Sequence, residues 1–169
     1  MVRAAFKNPP DWMGELDPNK KYTCSHVPIT AMGDRSFQLD DRKKPVGLWY
    51  GCGAEWIEYM EDELPSMLAD VRYVYEVIPN MDRIISLRTV EQVRKFDRDF
   101  GTNLYPGFGR NGFEEVRWKE VARYADGVEI CPYQWTLRTA IDWYYAWDVA
   151  SGCIWRPDGL RELRLVARI

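Results

Sequence analysis

This sequence predicts an α+β domain built on a mainly antiparallel, split β-sheet core with about three short helices. Three observations carry that expectation. Short apolar runs with strand-like alternation recur along the chain, the clearest being VRYVYEVI at residues 71–78. Apolar residues at helical spacing fill only a few windows, and these do not alternate with strands as a parallel βαβ fold requires. The 169 residues leave no length for a second core, so residues 1–169 read as one domain.

Residues 1–20 are rich in Pro, Asn, Asp and Lys, lack a period, and read as an irregular arm pinned by Phe6 and Trp12. The run KYTCSHV at 21–27 alternates as a strand, stops at Pro28 and carries the single histidine, His26. Residues 29–44 are polar and read as a loop with one short turn. A buried strand follows at 46–50, with Pro45 barring a helix and Gly51-Cys52-Gly53 forming the turn that closes it. The turn feeds a helix at about 54–64. Its stripe is Trp56, Ile57, Met60 and Leu64, while Glu55, Glu58, Glu61 and Asp62 face water, and Pro65 ends it. The strand at 71–78 puts Val71, Tyr73, Tyr75 and Val77 on one face, Pro79-Asn80 turns the chain, and 84–87 is another short strand. Thr89-x-x-Gln92 is a capping box. It opens a helix striped by Val90, Val93, Phe96 and Phe100 and stopped by Gly101.

Residues 101–113 are glycine-rich and read as a surface loop. Their GFGRNG is no dinucleotide fingerprint, because no strand precedes it and no apolar helix begins at its third glycine. EEVRWKEVARYA at 114–125 has the spacing of an amphipathic helix with Trp118, Val121 and Tyr124 inward. Asp126-Gly127 is a turn, and 128–131 is a strand stopped by Pro132. In 135–147 a helical reading groups Trp135, Ala140, Trp143 and Trp147, but the aromatic density leaves helix and strand both open. Residues 153–155 and 163–169 are short strands, the last at an edge or in a hairpin.

Composition narrows the function classes. A net charge of −3 argues against a general nucleic-acid binder. No apolar run reaches membrane-span length, and the N-terminus lacks a signal-peptide core. The four cysteines (Cys24, Cys52, Cys131, Cys153) are scattered without a C-x-x-C pair. That pattern predicts reduced thiols in a cytoplasm rather than a disulfide framework or a zinc site, and no metal is expected. Eight Trp and ten Tyr predict either a tightly filled core or an aromatic pocket.

Nucleophilic triads fail on a single histidine and no Gly-x-Ser-x-Gly. Three features remain. His26 sits on the first strand. Trp49 and Tyr50 stand before a turn whose glycines, Gly51 and Gly53, allow close approach of a ligand, and a flat ligand could stack on either ring. Glu129 is a carboxylate between Val128 and Ile130 on an otherwise apolar strand. The competing reading is plain: aromatics in the core, glycines making the turn, Glu129 facing water on a half-exposed sheet, and His26 as a structural hydrogen-bonder.

In order and rough separation, His26, the segment Gly47-Leu48-Trp49-Tyr50 followed by a helix, and Glu129 resemble the His–Tyr–Glu ADP-ribosyltransferases, the diphtheria toxin and poly(ADP-ribose) polymerase type. Trp49 stands where that family has tyrosine, with Tyr50 adjacent, and Val27-Pro28 follows the histidine where the family has glycine. The resemblance implies an enzyme that cleaves the nicotinamide–ribose bond of NAD+ and passes ADP-ribose to a macromolecular acceptor or to water. It implies Glu129 as the catalytic group, holding a ribose hydroxyl and favouring the oxocarbenium-like transition state. Trp49 or Tyr50 would stack on nicotinamide, and His26 would bind the other ribose. The turn at Gly51 and Gly53 would place the helix start near the carboxamide or a phosphate, and Arg35 and Arg42 are candidates for the pyrophosphate. The segments Lys44–Trp49 and Trp147–Trp155 also look like small uncharacterised phage and bacterial proteins. That likeness implies a non-catalytic protein that grips a host protein or nucleotide through an aromatic pocket, in a host cytoplasm if phage-encoded. A third reading keeps the transferase-like fold but acts on RNA ends; Arg117, Lys119 and Arg123 supply its charge, interrupted by Glu114, Glu115 and Glu120.

Overall fold

The structure is a computed structural model that describes residues 16–103 and 114–169. It is a mixed α+β architecture with two sheets. The first strand, β1 (Lys21–Ser25), precedes a two-residue strand β2 (Asp41–Arg42), β3 (Leu48–Cys52), helices α1 (Glu55–Glu63) and α2 (Pro65–Ala69), and β4 (Tyr73–Pro79). Strand β5 (Ile84–Leu87), helix α3 (Val90–Phe100) and strands β6 (Gly101–Asn103) and β7 (Glu114–Arg117) follow. One-turn helix α4 (Trp118–Val121), β8 (Gly127–Ile130), one-turn helix α5 (Asp142–Tyr145), β9 (Ser151–Ile154) and β10 (Leu160–Arg168) complete it. Five α-helices are thus described, two of them single turns, against the three expected.

The main sheet has seven strands in the order β10-β4-β1-β3-β9-β8-β5. Every neighbour is antiparallel except β5 and β8. The link from β4 to β5 is only Asn80–Arg83, yet it joins a strand beside one edge to the opposite edge. So short a link requires the sheet to curl. Inside the curl sits a small core of Tyr50, Val77, Ile84 and Ile154, joined by Leu48, Leu160 and Leu163. The outer face carries the helices. Ile57 and Met60 of α1 pack on Tyr22, Val71 and Val74. A larger aromatic cluster joins Val93 and Phe96 of α3 to Trp118, Val128, Ile130, Trp143, Trp147 and Trp155.

Local signals explain several elements. The Thr89 side chain accepts from the Gln92 N–H while the Gln92 side chain accepts from the Thr89 N–H, which completes the capping box. Gly53 has φ +61°, and a Cβ there would come 2.8 Å from the Pro18 carbonyl oxygen. At Gly51 a Cβ would meet the Trp56 Cβ at 2.7 Å. The Gly53 N–H donates to the Lys20 carbonyl, which ties the end of β3 to the start of β1.

Other expectations need correction. Residues 114–117 are strand, not helix: β7 pairs β2 on one side and β6 on the other. Long-range pairing overrides a local helical period here. Val116 and Trp118 are fully buried, and the Trp118 indole N–H donates to the Arg42 carbonyl at 2.9 Å. Tyr124, expected inward, is 76% exposed. Strand β4 is buried on both faces rather than one. Asp126 is a buried carboxylate gripped by Arg83 and Arg156 rather than an open turn residue. In the ambiguous aromatic stretch Trp143 and Trp147 are buried, whereas Trp135 and Ala140 are exposed. Cys52 and Cys131 are joined in a disulfide, contrary to the reduced-thiol expectation, and Cys24 and Cys153 are free. Both bonded residues lie just past the first residue of β9, which otherwise separates their strands, so their Cα atoms come to 6.5 Å. The cysteines therefore carry no argument about compartment. The arm expected at 1–20 is described only from Leu16, and of the expected surface loop only 101–103 lies within the described residues, as β6. Among the described residues no helix is long and apolar enough to cross a membrane.

Candidate functional site

The pairing register decides which candidate residues meet. Tyr50 pairs with Gly152, Gly152 with Glu129, and Glu129 with Ser86. Paired residues share a face, so these four form one row across the inside of the curl. Lys21, paired with Cys52, belongs to the same face. Gly152 is the critical member. A Cβ on it would overlap the Tyr50 ring, so only glycine lets that ring lie across β9. The Tyr50 hydroxyl thereby reaches over a whole strand and donates to Glu129 Oε2 at 2.9 Å. Lys21 Nζ lies 2.6 Å from the same oxygen. Glu129 is fully buried, and its Oε1 and the Ser86 Oγ are buried without a hydrogen-bond partner among the described residues. Burial and the Glu129 carboxylate hold the Tyr50 phenol well above its ordinary value, so it acts as a donor and not as a phenolate.

Trp49 is the neighbour of Tyr50 in an extended strand, so it points to the opposite, helical face. There it packs edge-on against Trp147, ring centroids 5.0 Å apart. It also borders a cleft of about 800 Å³ between β1, β3 and the α1–α2 pair. Trp56, Met60, Met67 and Val71 supply the apolar wall. Lys44, His26 and Arg72 bring basic groups, and Asp70 and Asp148 bring acids. Lys44 Nζ stands 5.6 Å from the Trp49 ring centroid and 3.4 Å from Asp148. That volume and that mix of apolar wall and few polar groups are typical of small-molecule sites.

His26 and Trp49 thus share the cleft, and Tyr50 borders it while its hydroxyl serves the other face. Glu129 does not join them, because its carboxylate lies inside the curl. Gly51 and Gly53 are accounted for by packing against Trp56 and Pro18. Arg35 and Arg42 stay outside the cleft; Arg35 bonds Gln38, and Arg42 pairs with Asp40. The residues that the sequence did not single out are Lys21, Ser86 and Gly152 inside the curl, and Lys44, Arg72 and Asp148 at the cleft. A glycine in the middle of SGCI was the available signal for Gly152.

Cys24, on the cleft wall, has its thiol pushed up to about 12 by burial, from 9.0. At pH 8 its thiolate fraction falls about a thousandfold below that of an open cysteine. Alkylation of the folded chain by iodoacetamide at pH 8 should therefore leave Cys24 unmodified on a time scale that labels it fully in denaturant; mass spectrometry of the peptides reads the difference.

No protein-family model, curated protein or solved structure matches the chain. The likeness to ADP-ribosyltransferases rests on the quoted motifs alone.

Proposed function

We propose that the chain is a binding protein for a nucleoside or nucleotide, held in the cleft beside Trp49. The observation that supports this most is two tryptophans, Trp49 and Trp56, bordering one cleft that carries both basic and acidic groups. A flat base stacks on Trp49. Ribose hydroxyls and exocyclic amines donate to Asp70 or Asp148, and a phosphate meets Lys44, Arg72 or His26. NAD+ belongs to this ligand class. Cleavage of its glycosidic bond by Glu129 is not part of the reading, because that carboxylate faces away from the cleft and is already held by Lys21 and Tyr50.

Tryptophan fluorescence titrated with adenosine, AMP and NAD+ tests the reading. Quenching should saturate for at least one of them. Trp49→Ala should weaken that ligand about tenfold or more, since base–aromatic stacking contributes about 1–3 kcal/mol per base. No saturable change with any of the three, or an unaltered affinity in Trp49→Ala, would refute it.

A further inference from the structure

The Cys52–Cys131 pair and Glu129 make a second constellation, on the other side of the sheet from the cleft. Both sulfurs and a Glu129 carboxylate oxygen lie within 4.8 Å of one another. Glu129 is fully buried, and the two cysteines are half-buried. The two carboxylate oxygens are used differently. Oε2 accepts the Tyr50 hydroxyl and faces Lys21 Nζ, which fixes the orientation of the group. Oε1 is buried and has no hydrogen-bond partner among the described residues. A buried carboxylate oxygen without a donor is costly, and its presence asks for a cation.

We propose that, with the disulfide reduced, Cys52 Sγ, Cys131 Sγ and Glu129 bind a thiophilic divalent cation of the zinc class. Zinc takes thiolate sulfur at about 2.3 Å and carboxylate oxygen at about 2.0–2.2 Å, so once the sulfur–sulfur bond opens the two thiolates must part by side-chain rotation for all three groups to meet one ion. Two thiolates and a carboxylate are balanced electrically by Lys21 and the dication. Tyr50 and Lys21 play the outer part, holding the ligating carboxylate as hydrogen-bond partners of metal ligands do. Three protein ligands leave a fourth position for water or an added thiol. The ion and the sulfur–sulfur bond compete for the same two sulfurs. A phosphine or dithiol reductant breaks that bond and supplies two electrons; two protons from water complete the thiols. Binding the ion releases those two protons.

The test uses the full chain, reduced anaerobically with tris(2-carboxyethyl)phosphine and titrated with Co2+. A thiolate-to-cobalt charge-transfer band should grow to one equivalent and vanish on adding Zn2+. The oxidised chain should show none. Cys52→Ser should lose the band, and Glu129→Gln should weaken Co2+ about tenfold or more. Melting in reductant gives a second readout. Zn2+ should raise the midpoint of the wild type but not of Cys52→Ser. Absence of the band, equal Co2+ affinity in all three chains, a disulfide that the phosphine cannot open in the folded protein, or a midpoint indifferent to Zn2+ would each overturn the proposal.

Discussion

Lys21→Met is expected to destabilise the chain by about 3 kcal/mol, and to cost clearly more than Glu129→Gln. The two partners of the ion pair are not equivalent. Lys21 keeps about a quarter of its side chain in solvent, whereas Glu129 has none. Without Glu129's charge, the ammonium can swing toward water along its flexible stem. Without Lys21, the carboxylate stays inside the curl with the Tyr50 hydroxyl as its remaining partner. Glutamine at 129 still accepts that hydroxyl, so the neutral variant loses less. Lys21→Met/Glu129→Gln should recover part of the loss of Lys21→Met, because the stranded charge is then gone. Urea melts of the two single variants and the double variant measure the coupling directly. If Lys21→Met and Glu129→Gln cost the same, the buried pair is not what holds this face.

Gly152→Val is expected to be the most damaging single substitution on the inner face, at about 3 kcal/mol or more. Even the first added carbon would overlap the Tyr50 ring. The ring must leave its place over β9, and its hydrogen bond to Glu129 breaks with it. Overpacking of this kind costs about 1–3 kcal/mol, and losing a hydrogen bond to a charged group adds about 1.5–3. Tyr50→Phe in the same background gives the check. If Tyr50 is already displaced by valine, removing its hydroxyl should add almost nothing. In the wild type, Tyr50→Phe should cost about 1.5 kcal/mol or more, measured by denaturant melts.

Local chemistry made part of this molecule legible. The Thr89–Gln92 box and the strands around Tyr50, Ile85 and Val128 each follow from residues within a few positions of one another, whereas the turn expected at Gly51–Gly53 is strand as far as Cys52, because β1 pairs with it. Strand β7 does not. Its partners are 41–42 and 101–103, and only their pairing turns EEVR from helix to strand. The alternation of Val116 and Trp118 with Glu115 and Arg117 was the available sign of it. The disulfide joins residues 79 apart in sequence, without any local spacing pattern. The candidate site was half legible. Successive strand residues face opposite ways, so Trp49 and Tyr50 could never serve one ligand equally. Motif order along the chain does not carry that information; the register of β8 and β9 does. Gly152 decides that Tyr50 reaches Glu129, and its role depends on a ring two strands from the carboxylate.

The central claim is that ligand recognition and the buried carboxylate belong to opposite faces of one sheet. Side-chain resonances of labelled protein, followed by NMR during titration with AMP and NAD+, test it most directly. The Trp49 and Trp56 indole N–H signals should move with saturable dependence on ligand, while the Glu129 carboxyl and Lys21 Nζ signals stay in place. Shifts centred on Glu129 and Lys21, or no shift of either tryptophan with either ligand, would contradict the account.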